Sequence, residues 1–107
     1  MLTGLVWLSG QCKATAIPGG YKWDLNNIVA FQNNTTEARP GMKIVGQFAG
    51  GSGTVAVKQG ATTIRTGTLT GSPHGQGGNF DVAWDDNTQG TFGVTSSGRS
   101  GNAEVTI

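Results

Sequence analysis

Asp81, Asp85, Asp86 and Asn87 form the only acidic cluster in the chain, and carboxylate and carboxamide oxygens are the ligands Ca²⁺ prefers. Asp81 and Asp85 fall on one face of a strand ending near residue 84, with Asp86 and Asn87 at the turn that follows. The spacing is not that of an EF-hand loop, no bidentate glutamate closes it, and Asp-Asn is ordinary turn chemistry. These four residues are therefore a weak Ca²⁺ candidate, and the sequence predicts no bound metal and no cofactor. A glycosidase built on the same carboxylates needs a cleft and one raised pKa, for which 107 residues leave little room. His74 and Cys12 are the only imidazole and the only thiol. A zinc site takes several such ligands. His74, in Ser72-Pro73-His74-Gly75, reads as a surface loop residue, and Cys12, with no partner for an intrachain disulfide, as a small partly buried hydrophobe. The expectation is a protein that is not an enzyme.

The aromatic residues offer a different chemistry. Tyr21, Trp23 and Leu25 alternate with Lys22 and Asp24, and Asn26-Asn27 follow. Flat rings beside amide side chains stack on sugar rings and bind their hydroxyls, so Tyr21, Trp23, Asn26 and Asn27 are the candidate glycan-binding set. Trp84 shares a face with Phe80 and Val82 and is assigned to the core. Thr66, Thr68 and Thr70 read as strand propensity. Asn33-Asn34-Thr35-Thr36 holds two overlapping N-glycosylation sequons, which matter only in a secretory setting.

The elements that must position these residues are strands. Period-two alternation recurs along the chain, punctuated by many of its 19 glycines, with no sustained 3.6-residue period and no helix start signal. Extended runs fall at residues 2–9, 12–17, 21–25, 28–31, 42–48, 54–58, 62–70, 80–84, 91–95 and 103–107. The polar stretches 32–41 and 71–79 separate them as long connections, the first of a length that suits a sheet-to-sheet crossover. These ten runs, two pairs of which are only two residues apart, make eight or nine short strands and predict a single domain over residues 1–107. The expected fold is a two-sheet antiparallel β-sandwich of the Ig-like or jelly-roll kind, with a closed barrel as second choice.

Composition narrows the function. Charged residues make up 12% of the chain, against about 25% in typical globular proteins, and the net charge is +1. The seven basic residues are scattered, so no electrostatic footprint for nucleic acid forms. The apolar start Met1–Gly10 lacks a basic region and is short for a signal peptide, which makes it a first strand. No apolar stretch approaches the ~20 residues of a membrane span. A neutral hydroxyl- and amide-rich surface on an all-strand chain resembles that of small phage surface modules. That resemblance implies a structural assembly protein, a virion component such as a tailed-phage capsid decoration, tail or fibre module, located on a virion or outside the cell. Its partners would be other protein subunits, as a homo-oligomer or attached to a larger particle. The expected contact residues are Leu2, Leu5 and Trp7 of the apolar first segment, with Gly50, Gly51, Gly77 and Gly78 in loops richer in glycine than a tight turn requires. A lectin-like module using Tyr21 and Trp23 is the alternative.

Overall fold

The computed structural model describes all residues, Met1–Ile107. It contains nine antiparallel strands and no helix: β1 (Leu5–Ile17), β2 (Gly20–Gln32), β3 (Thr35–Ala38), β4 (Met42–Ala49), β5 (Ser52–Gln59), β6 (Thr62–His74), β7 (Gly77–Trp84), β8 (Gln89–Val94) and β9 (Ser100–Thr106). The all-β antiparallel expectation is met, but the sandwich is not. The strands form one sheet that closes on itself, because β1 pairs with β2 along one edge and with β9 along the other. Strands β3 and β4 both lie along β2, opposite Val29–Gln32 and Gly20–Leu25 respectively. They are one stave interrupted at Arg39-Pro40-Gly41, so the barrel has eight staves.

Local turn chemistry explains why the chain winds as a simple meander. Gln32 pairs with Thr35 across Asn33-Asn34, whose φ values of 47° and 64° are those of a type I′ hairpin turn. The polar stretch 32–41 is therefore a hairpin, a short strand and a break, not a crossover. Residues 71–79 are likewise no loop: β6 runs to His74, which pairs with Gly77 across a two-residue turn. With every connection between staves a hairpin, staves that follow one another in sequence pair, and the sheet closes where the first and last strands meet.

Bulges set which face points inward. In β1 the inward positions are Val6, Leu8, Cys12 and Ala14. In β2 they are Trp23 and Leu25, then Ile28 and Ala30, because an extra residue opposite Gly10 switches the parity. Asn27, with φ 54°, sits in that bulge. An eight-stranded barrel is just wide enough for its own side chains to fill, and here aromatic rings do so. Trp23 lies 5.5 Å from Phe80 and 5.9 Å from Phe92, and Phe48 lies 4.9 Å from Phe80. The two indoles inside keep their N–H groups satisfied. Trp23 Nε1 donates to Gln76 O at 2.7 Å and Trp84 Nε1 to Glu104 O at 3.0 Å. Room for the rings comes from glycines on the inner wall: a Cβ at Gly46 would lie 2.9 Å from two ring carbons of Phe92.

The wall is apolar inside and polar outside, the reverse of the apolar-out pattern of membrane-spanning barrels. No helix is long and apolar enough to cross a membrane.

Candidate functional site

The structure separates the acidic cluster. Asp81 points outward from the middle of β7, whereas Asp85, Asp86 and Asn87 lie in the β7–β8 turn at the barrel rim. No group of three or more His, Cys, Asp or Glu side chains converges to hold a metal. The two turn carboxylates already have partners. Thr66 donates to Asp85 Oδ2 from its N and Oγ1 at 3.1 and 3.2 Å. The Arg65 guanidinium lies 3.6 Å from Asp85 and 3.3 Å from Asp86. Arg65 Nε also donates to Thr106 O at 2.9 Å, so this side chain fastens β6, the β7–β8 turn and β9 together. The Ca²⁺ candidate is thus corrected to a rim clamp.

Hydrogen bonding from the Thr88 side chain, with help from its backbone N–H and from Arg65, holds the Asp86 carboxyl below the usual carboxylate range. A carboxyl whose pKa is lower folded than unfolded stabilises the fold above its unfolded pKa. That contribution is lost as pH falls through the folded value. The urea midpoint is therefore expected to drop between about pH 5 and about pH 2, and Asp86→Asn to flatten that dependence. An unchanged pH profile in Asp86→Asn would show that the clamp contributes nothing.

The glycan set is also rearranged. Trp23 is wholly buried, with its ring tilted against those of Phe80 and Phe92, so no sugar ring can reach it. Tyr21 is half-buried and packs against the core. Asn26 and Asn27 are exposed at the β2 bulge, where Asn27 Nδ2 donates to Gln11 Oε1 at 2.8 Å. The four residues do not make one surface. Cys12 packs against the core, and burial, reinforced by Asp24, pushes its thiol up to about 11.

Of the expected contact residues, Leu5, Trp7, Gly50 and Gly51 are exposed, whereas Leu2, Gly77 and Gly78 are not. Leu2 packs against the core. Its carbonyl accepts from Nη2 of the buried Arg39, whose Nε lies 2.7 Å from Glu37 Oε1 but off the N–H axis, making an ion pair rather than a directed hydrogen bond. Partial burial raises the Glu37 carboxyl, but the terminal ammonium, the Leu2 backbone and Arg39 outweigh it and hold the group below its ordinary value. Gly77 and Gly78 are buried within β7, where a Cβ on Gly78 would strike Ser72 O at 2.8 Å, so neither is presented to a partner. Gly50 and Gly51 form an exposed two-residue turn with open space around both.

Sequence reasoning does not single out Phe31, which ends the continuous apolar run Ile28-Val29-Ala30-Phe31. Phe31 is opposite Trp7 across β1 and β2, and both side chains point away from the barrel. Leu5 is 53% exposed, Trp7 44% and Phe31 41%. The outward Val29 and Ala38 pair one step further along. The bulge at Asn27 is what turns Phe31 outward, and period-two alternation carries no trace of it. The result is an apolar patch on the β1–β2–β3 wall, edged by Thr36 and Glu104, while the lumen is filled and the larger concavities lie on the outer wall. No protein-family model, no curated protein and no solved structure matches this chain.

Proposed function

We propose that this barrel is a non-catalytic assembly module that contacts further protein subunits through the outer face of β1 and β2, a second copy of itself first among them. The observation that supports this reading is the cluster of Leu5, Trp7 and Phe31 on one outward face. Each leaves apolar surface in water on a wall that is otherwise mostly polar, and burying such surface gives about 25 cal/mol per Å². Aromatic anchors inside a polar rim are the usual anatomy of a protein contact. A net charge of +1 puts little electrostatic repulsion in the way of self-association. A small neutral barrel with one apolar face suits a repeating assembly such as a virion surface, the setting proposed for it.

Size-exclusion chromatography with light scattering tests the reading. At ~100 μM, well above the ~1 μM Kd of a weak homodimer, the wild-type chain is expected to run as an oligomer and Phe31→Ser as a monomer. The substitution should cost under about 1 kcal/mol of folding stability, since it removes no core contact. A wild-type monomer at that concentration overturns self-assembly through this face.

A further inference from the structure

The other side of Trp7 borders a different surface. Two concavities of 340 and 440 Å³ on the outer wall share Asn79, Gly93 and Asn102 and so form one groove along β8. Gly93 is its floor: it pairs with Asn79 on β7 and with Asn102 on β9, placing one carboxamide on each side. A Cβ on Gly93 would lie 3.1 Å from Asn79 Oδ1 and 3.3 Å from Asn102 Oδ1, so the two amides converge over the space its missing side chain leaves. Neither amide is engaged by another protein group, and Asp81 and Thr91 further along are equally free. The Trp7 ring closes that end.

We infer that this groove binds a neutral oligosaccharide. Two unpaired carboxamides, a carboxylate and hydroxyls offer both donors and acceptors to sugar hydroxyls, and Trp7 offers an apolar ring with a polar edge for a sugar face. No lysine or arginine lines the groove, which disfavours phosphate- or sulfate-bearing polymers. The strands beneath are paired on both sides, so no free edge receives an extended peptide. From Thr91 to Thr95 the groove follows β8 for about 13 Å at ~3.3 Å per residue, enough for more than one ring. The larger concavity of 640 Å³ on the β4–β6 wall has no aromatic side chain and lacks this combination.

The test is a ¹H–¹⁵N titration with soluble gluco-, xylo-, manno- and chito-oligosaccharides, each to ~10 mM, above the ~1 mM Kd of a weak site. At least one is expected to shift the side-chain amides of Asn79 and Asn102 and the indole N–H of Trp7. Gly93→Val fills the floor and should weaken that response at least tenfold. Gly93 lies outside the positive-φ region, and the atoms a Cβ would meet are flexible side-chain ends, so the variant is expected to fold. Asn102→Ala, which removes one amide with no added bulk, is the second variant. Phe31→Ser leaves Asn79, Gly93 and Asn102 in place and frees Trp7 from the assembly contact, so its sugar response should persist or strengthen even when assembly is lost, which separates this inference from the preceding one. No shift from any of the four sugars, or undiminished shifts in both groove variants, overturns it.

Discussion

Trp23→Ala is expected to destabilise the barrel by ~3–5 kcal/mol, the usual cost of emptying a buried aromatic site. The side chain is wholly enclosed, touches both Phe80 and Phe92, and donates the hydrogen bond that ties β2 to Gln76 in the β6–β7 turn. Its loss leaves a cavity at the centre of the lumen and removes the donor to the Gln76 carbonyl. Against the ~5–15 kcal/mol stability of ordinary domains, that is enough to leave a large unfolded fraction under mild denaturant. Urea unfolding followed by far-ultraviolet circular dichroism measures it. A loss below about 1 kcal/mol would mean that the ring does not fill the barrel, since even small core truncations cost that much.

Gly46→Val produces the opposite fault. The inward Cβ would sit 2.9 Å from two carbons of the Phe92 ring and 3.6 Å from Trp23, with no flexible side-chain end to yield. Overpacking of this kind costs ~1–3 kcal/mol. Its source can be isolated by Phe92→Leu, which removes the opposing ring. The double variant should be more stable than the sum of the two single effects predicts, by ~0.5 kcal/mol or more. Strict additivity would show that Gly46 is glycine for a reason other than the ring it faces.

These two positions also show what the sequence does and does not disclose. Alternation places Phe80, Val82 and Trp84 on one inward face, and they are there. The same alternation is satisfied by a sandwich and by a barrel, because both bury every second residue. The choice between them lies in the pairing of β1 with β9, residues nearly the whole chain apart. Asn33-Asn34 carries the hairpin signal, but the surrounding polar residues also fit a long crossover. The glycines are legible as turn residues at Gly50-Gly51. At Gly46 and Gly93 the reason for glycine is what stands across from it in space, a ring in one case and two amides in the other.

The candidate site was half legible. Leu5 and Trp7 follow from the apolar first segment. Trp23 looks equally available in sequence, with a polar neighbour on each side, yet it is inside. Phe31 looks buried within Ile28-Val29-Ala30-Phe31, yet it is outside. A single bulge at Asn27 separates the parity of Trp23 from that of Phe31. Asp85 and Asp86 resemble metal ligands until Arg65, distant in sequence, is seen between them and β9.

Acrylamide quenching of intrinsic fluorescence tests the assembly face most directly. Trp23 and Trp84 are buried in the lumen, so the quenchable signal belongs to Trp7. If subunits meet through the β1–β2 face, quenching of the wild-type chain at assembling concentration is weak and rises to that of an open indole in Phe31→Ser. Equal and strong quenching of wild type and Phe31→Ser at that concentration would contradict the account, because Trp7 would then stand in water with nothing upon it.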